Sequence, residues 1–331
     1  MKKTLVALAV LATSGASFAQ VTITGKLGYG MQRQPVNATA ATPTANSAQG
    51  LLMTDGDILF RATEDLGGGM KITASSEIRL RGRDDTVAAR NATLGLTTGF
   101  GLITVGAVEA VSPLMTIGMA GAPIELATNA DANAGSNTLT AISSRANVDI
   151  VMLTVPVGSF SFSGAFGDIS AGSGSGDLNG LNITYGQAVA RYNAGPVSVY
   201  ADYTNFITKD ASPVKASFNG RDRYRVAGSY DFGMAKIGLG YHTANKSQPD
   251  EMSAGLTVPM GSVVFGLTYA QREAFKADAT IGQAAQKERT FTGAGVQYNF
   301  SKMTNINLSY GTHTGPANYS DEYRVRLLKN F

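Results

Sequence analysis

The 331-residue chain has no cysteine, no tryptophan, two histidines, ten prolines and only 15% charged residues. Each shortage excludes something. Without cysteine there can be no disulfide and no thiolate metal site, and the redox compartment is left open. An ordinary soluble domain carries about 25% charged residues, so this chain is poor in solubilising charge. A formal net charge of +3 gives nucleic-acid binding no bulk electrostatic support. Beyond the first twenty residues no window approaches 18 uninterrupted apolar residues, which leaves no transmembrane helix. That absence does not touch a membrane β-barrel, whose signal is alternation over about ten residues per strand. The two histidines, His242 and His313, stand far apart, and neither a G-x-S-x-G elbow nor a G-x-x-x-x-G-K-[ST] phosphate loop occurs. They read as solvated rim residues, and the chain does not read as an enzyme.

The N-terminus is a leader rather than part of a fold. "MKK" is basic, "TLVALAVLA" is apolar and too short for an anchor, and Ser17-Phe18-Ala19 is a small-x-small cleavage site. Residues 1–19 are therefore expected to be a removed signal peptide and 20–331 a single domain of an exported protein. Loss of Lys2 and Lys3 leaves 25 basic against 24 acidic side chains.

What the chain does have is alternation. In "MKITASSEIRLRGR" (70–83) the odd positions are Lys71, Thr73, Ser75, Glu77, Arg79, Arg81 and Arg83. The even ones are Met70, Ile72, Ala74, Ser76, Ile78, Leu80 and Gly82. Successive strand residues point to opposite faces, so this is a strand with one apolar and one charged face. The same reading sets Val21, Ile23, Leu27 and Tyr29 against Thr22, Thr24 and Lys26, and Val148, Ile150 and Met152 against Arg145, Asn147 and Asp149. It also sets Tyr224, Val226 and Tyr230 against Arg223 and Arg225. The phase of "TYGQAVARY" (184–192) is unclear and suggests a bulge.

Short turns rich in Gly, Asn, Asp and Pro fall at 64–69, 98–101, 155–159, 192–196, 230–234, 258–262 and 298–303. They alternate with eight other connections, several of them longer and more polar, at 32–54, 83–88, 111–144, 169–180, 207–220, 245–250, 273–288 and 315–320. Seven turns alternating with eight loops give sixteen strands with both ends on the short-turn side, the pattern of an outer-membrane barrel. Alternation alone does not choose between a sandwich, whose apolar face points inward, and a membrane barrel, whose apolar face meets lipid. Sixteen strands exceed the seven to nine of a sandwich. Tyr192, Tyr230, Phe232, Tyr298 and Phe300 collect at turn-proximal ends, as an interfacial girdle should. The chain ends "YRVRLLKNF", with Tyr323, Val325, Leu327 and Phe331 on one face and Arg324 and Arg326 on the other. A terminal aromatic on an amphipathic strand is what outer-membrane assembly is expected to need.

On "FRATEDLGGGMK" (60–71), "TLGLTTGFGLITVG" (93–106), "SRANVDIVMLTVP" (144–156), "YNFSKMTNINLSYG" (298–311) and that terminal strand, the chain resembles the general porins of Gram-negative bacteria, in particular the β-proteobacterial type. The resemblance covers essentially the whole mature chain. It implies an all-β, sixteen-stranded antiparallel transmembrane barrel in the outer membrane, usually a homotrimer, passing ions and small hydrophilic solutes by diffusion without a cofactor. It also implies that the third extracellular loop, here 111–144, folds inward as a constriction. Two positions depart from the family pattern: Ala107 and Met303 stand where a basic residue is usual. Loop 111–144 carries only Glu125 and Asp131 as charges, and "VSPLMTIGMAGAPIEL" is apolar for a loop.

By parity the lumen wall should carry Lys26, Arg61, Lys71, Arg79, Arg81, Arg83, Arg145, Arg221, Arg223 and Arg225, against the fewer acids Asp57, Glu77, Asp149, Asp202 and Asp231. One sign of charge lining a narrow pore concentrates the opposite ion, so anions should be preferred. Arg61, Arg79 and Arg81 are expected to cluster on one wall, with Glu125 and Asp131 opposite on the loop. Tyr323 and Phe331 are the candidate assembly signal, read by the outer-membrane assembly machinery. "DANAGSN" (131–137) resembles the start of a calcium loop but lacks its closing Glu, and no metal site is expected. Other readings remain open here: a channel specific for a dicarboxylate, phosphate or sugar, a structural barrel with a plugged lumen, or a soluble exported β-protein.

Overall fold

The computed structural model describes residues 20–33, 49–80, 88–124, 126, 145–168, 183–208, 220–245, 249–274, 276–277, 285, 287–315 and 321–331. Sixteen strands follow one another: β1 (Gln20–Arg33), β2 (Gln49–Gly67), β3 (Met70–Arg79), β4 (Ala88–Thr97), β5 (Leu102–Val111), β6 (Arg145–Val157), β7 (Phe160–Asp168) and β8 (Ile183–Ala194). Then come β9 (Val197–Thr208), β10 (Arg221–Asp231), β11 (Lys236–Ala244), β12 (Glu251–Met260), β13 (Val263–Arg272), β14 (Arg289–Ser301), β15 (Thr304–Thr314) and β16 (Glu322–Asn330). Each pairs antiparallel with its neighbours in sequence, and β1 pairs with β16, so the sheet closes into a barrel. Among the described residues one short helix, α1 (Pro113–Thr116), follows β5. The seven tight turns fall where the glycine and proline clusters put them. No helix among the described residues is long and apolar enough to cross a membrane. The expected leader, residues 1–19, lies outside the described residues.

Burial is inverted relative to a soluble protein. Val21 and Leu239 are each 64% exposed, whereas Glu251, Glu322, Asn307 and Ser309 are fully buried. On β16, Val325 and Leu327 are exposed while Arg324 and Arg326 between them are buried. The apolar face of every such strand is the outer one, which is the arrangement a lipid surround stabilises and water would not. Closure satisfies the backbone at the seam: the amide of Phe331 donates to the Gly25 carbonyl at 3.0 Å, and the Gly25 amide donates back at 2.9 Å. Tyr230 with Phe232, Tyr298 with Phe300, and Phe160 with Tyr192 pack tilted or edge-on at 4.6–5.0 Å between centroids near the short turns. These pairs form the expected girdle. A second set of outward tyrosines marks the other end. Tyr203 donates to Asp222 at 2.7 Å, and Tyr241 and Tyr310 donate likewise to Asp250 and Asp321.

Three sequence readings are corrected. The face of β6 carrying Val148 and Ile150 points inward, buried against Tyr185 and Phe206, while Val151 and Leu153 are exposed. Both parities of this strand are apolar, so alternation could not set its phase. The pairing partners Val105 and Phe166, themselves exposed, set it instead. Asp149 shares the outward face with Val151 rather than the lumen face. The suspected bulge in β8 does not exist: 184–192 pairs without interruption on both sides. The histidines are not solvated rim residues. His242 is buried with Nδ1 3.3 Å from Glu251, and His313 Nε2 is 2.9 Å from Glu322.

Candidate functional site

The inner wall divides into three regions. The first is covered by the segment that leaves β5. Ser112 caps α1, its hydroxyl accepting from the Leu114 amide at 3.3 Å, with Pro113 at the first helical position. From there residues 112–124, with Leu126, cross to the far wall and lie along β11–β15. The wall provides a glycine groove to receive them. A Cβ on Gly240 would stand 2.9 Å from Leu114 Cγ, one on Gly266 2.5 Å from Pro123 Cδ, and one on Gly311 2.6 Å from Leu126 Cδ1. A Cβ on Gly238, Gly255 or Gly295 would collide with the carbonyl oxygens of Ile117, Met119 and Pro123. Side-chain donors between these glycines hold the segment's carbonyls. Ser253 reaches Leu114 O at 2.8 Å, Thr257 reaches Ala120 O at 3.0 Å, and Asn307 reaches Pro123 O at 2.7 Å. Leu114, Met119, Ile124 and Leu126 bury against Ala270 and Phe291. The apolar character of this loop is thus accounted for, because its side chains pack on the inside of a barrel rather than in water.

The second region is an ion-pair network on β1–β5 and β16. Lys26 Nζ lies 2.7 Å from Asp55 and 3.3 Å from Asp57, and Arg326 lies 2.6 Å from Asp55. Arg90 donates to Asp57 at 2.9 Å, to Glu77 at 3.1 Å and, through Nε, to Glu109 at 2.9 Å. Arg79 lies 3.5 Å from Asp57 and 4.0 Å from Glu109. Lys26, Arg79, Arg90 and Arg326 are thereby matched by Asp55, Asp57, Glu77 and Glu109. Asp55 and Asp57 are 7% exposed, where pairing offsets desolvation. Within this network the charges balance four against four.

The third region, on β8–β10, is basic. Arg221, Arg223 and Arg225 alternate along β10 with outward Tyr224 and Val226. Arg225 holds Asp202 through Nε at 2.8 Å and Nη2 at 2.7 Å. Arg223 donates to Thr204 at 3.2 Å and lies over the ring of Phe206, 5.1 Å from its centroid. Arg191 lies at the same distance over Tyr200. Helix α1 touches β10, β11 and β12, so the inserted segment borders this column.

The candidates named from sequence are distributed unevenly over these regions. Arg79 and Arg223 stand on the inner wall. Arg61 is exposed across from Thr22 and Ser75, four residues along β2 from the Asp57 that faces Arg79, so the two arginines do not cluster. Lys71 is exposed beside the first short turn. Asp231 accepts from the Gly233 amide at 2.8 Å and serves its turn. Arg81, Arg83, Glu125 and Asp131 lie outside the described residues, as does the "DANAGSN" loop, and of Arg145 only the backbone position is described. Tyr323 and Phe331 stand on the outward face of the closing strand.

Sequence reasoning missed Arg90, the hub of the network. Its parity matches outward Ala92 and Leu94, but Arg90 and Asn91 together stand opposite the single Glu77, a bulge that turns Arg90 into the network. It also missed the glycine groove, which was visible as glycines recurring at inward positions from Gly238 to Gly311.

A model of a family described as Gram-negative porin matches residues 4–318. Outer membrane porin protein 32 of Delftia acidovorans is 30% identical over 285 residues, 80% of this chain and 77% of that one. Major outer membrane protein P.IB of Neisseria meningitidis is 31% identical over 115 residues, 34% of this chain and only 35% of that protein's length. Among solved structures, an anion-selective porin from Comamonas acidovorans superposes with a TM-score of 0.64 at 20% identity, covering 95% of this chain and 100% of its own. A loop-deletion mutant of OmpT, an outer membrane protein of Vibrio cholerae, gives 0.64 at 15% identity over 95% and 99%. These two likenesses concern the fold.

Proposed function

Because the chain belongs to the Gram-negative porin family, we propose that it is a passive outer-membrane channel for ions and small hydrophilic solutes, with a preference for anions. The observation that carries the preference is the β8–β10 wall, where Arg191, Arg223 and Arg225 stand together with Asp202, which pairs with Arg225. A sixteen-stranded barrel leaves an aqueous lumen. The inserted segment fills the side along β11–β15, so passage runs beside the arginines. A passage lined with one sign of charge concentrates the opposite ion. The Comamonas protein of the same fold is described as anion-selective, which supports the same sign. Family and fold mark a channel rather than an enzyme, and the reading needs no cofactor and no nucleic acid.

Further parts of the reading follow from the same frame. Residues 1–19 are a cleaved export signal. The terminal strand, with Tyr323 and Phe331, is what the outer-membrane assembly machinery engages. The unit is a homotrimer in the lipid bilayer, which a shallow outer groove supports: Ala62, Ala74, Ser76 and Ala92 line it between Phe60 and Leu94.

The test is single-channel recording in a planar bilayer under a tenfold KCl gradient. A reversal potential of the sign set by chloride is the expected result. A potential of the sign set by potassium would overturn the anion preference, and silence from folded protein would overturn the channel in favour of a plugged structural barrel. A solute-specific channel is favoured by one observation, the aromatic bed beneath Arg223.

A further inference from the structure

Arg223 differs from its neighbours in how its charge is used. Arg225 has both Nε and Nη2 on one oxygen of Asp202. The Arg90 guanidinium is divided among three carboxylates. No carboxylate pairs with Arg223 among the described residues; its partners there are the hydroxyl of Thr204 and the face of Phe206. A guanidinium is a plane with two faces and a rim of five donors. The Arg223 guanidinium carbon lies over the Phe206 ring, 5.1 Å from its centroid, and a wall lies behind that ring. Tyr185 is 5.7 Å from Phe206, tilted by 51°. A Cβ on Gly167 would fall within the ring of Tyr185, so Tyr185 lies along the sheet where only a glycine leaves room. Val148 and Ile150 close the cluster from the side. The stack is built outward from the wall: sheet, Tyr185 and Phe206, then Arg223. Arg223 itself is only half-buried, so part of its surface beyond the ring is left open.

We propose that Arg223 on its Phe206 and Tyr185 bed is a stacking site in the lumen for planar aromatic carboxylates. The proposal rests on the anion-channel reading and narrows it. Chloride would use only the charge of this group, and an aliphatic carboxylate its charge and its donors. A benzoate-like anion uses these and also lays its π face on the guanidinium, continuing the stack that Phe206 begins. The arrangement recurs on the same wall. Arg191 over Tyr200 offers a second such station, and Tyr200 lies six residues from Phe206 along β9, about 20 Å at strand rise. Two stations in series let an anion leave one for the next rather than remain trapped, as conduction requires.

The test is block of the chloride current by benzoate, by cyclohexanecarboxylate, which has the same size and charge but no π face, and by acetate. Half-block by benzoate is expected at a concentration at least tenfold below that for cyclohexanecarboxylate. The same ratio is then measured, in an Arg191→Lys background that silences the second station, in Arg223→Lys, which keeps the charge and loses the plane, and in Phe206→Leu, which removes the ring beneath. In both the ratio should fall to about one. A wild-type ratio near one, with chloride preference intact in the KCl gradient, overturns the stacking site and leaves the anion channel standing. A ratio that persists in both variants also overturns it. Loss of chloride preference in the wild type overturns the anion reading, and the stacking site with it.

Discussion

The ring of Phe331 lies over Gly25 across the seam where the barrel closes. A Cβ on Gly25 would stand 2.7 Å from Phe331 Cζ and 2.5 Å from the carbonyl oxygen of Asp57. The last side chain of the protein is thus seated on a gap left in the first strand, between outward Ile23 and Leu27.

Gly25→Val should therefore weaken closure. Forcing atoms into a filled site costs about 1–3 kcal/mol, and the expected result is a lower melting temperature of the barrel in detergent. Phe331→Ala, which empties the seat without crowding it, should slow assembly more than it lowers that temperature. Equal effects of both variants on melting and assembly would mean that the ring contributes only to packing.

Asn307 and Ser253 hold the inserted segment by its carbonyls. Each hydrogen bond contributes about 1 kcal/mol net, and more is lost when a buried acceptor is stranded. The double variant Asn307→Ala, Ser253→Ala should widen the lumen, read as a larger single-channel conductance with more current noise. Conductance equal to the wild type would show that the glycine groove alone fixes the segment.

The groove makes its own prediction. Gly255→Ala and Gly295→Ala each place a methyl against a carbonyl of the segment, at Met119 and Pro123. Both should displace the segment while the strands still pair, so conductance should change with little change in barrel melting. Gly99→Ala, at a turn position where a Cβ meets nothing within 4 Å, is the control.

Removing Arg90 leaves Asp57, Glu77 and Glu109 short of their shared cation. Breaking a buried pair from one side costs about 3–5 kcal/mol. Arg90→Gln should destabilise the barrel strongly and move the reversal potential toward potassium, whereas Arg61→Gln, at an exposed position with no ion-pair partner among the described residues, should leave stability close to that of the wild type. A mild Arg90→Gln would mean that water reaches the network.

Selectivity set by wall charge must be screened. The Debye length shortens from about 10 Å at 0.1 M salt to about 3 Å at 1 M. The chloride preference should accordingly shrink when the same tenfold gradient is raised to molar concentrations. A preference independent of salt would point to a steric rather than an electrostatic filter.

Much of this architecture can be read along the chain. Alternation located the strands, the Gly and Pro clusters located the turns, and Val325 and Leu327 set against Arg324 and Arg326 gave the outward face. Reading failed where the period of two fails. Arg90 stands at a bulge, so counting from Leu94 places it toward lipid. Val148 and Ile150 alternate as well as Val151 and Leu153 do, and only the neighbouring strands choose between them. Reading also failed where partners are distant in sequence. The apolar run after Ser112 was visible, but nothing local tells that its acceptors meet Ser253 and Asn307. His242 and Glu251 are nine residues apart, and their pairing follows only from the register of β11 on β12.

The inserted segment also sets an order of events. Its hydrogen bonds to Ser253, Thr257, Asn307 and Ser309 join residues 137–186 positions apart in the chain. The surface that receives it does not exist until β11–β15 are side by side. The segment, though made in the first half of the chain, must wait beside a half-built wall with Leu114, Met119 and Ile124 uncovered. The lumen thus acquires its final width late, and the apolar residues that narrow it are those most in need of shielding until then.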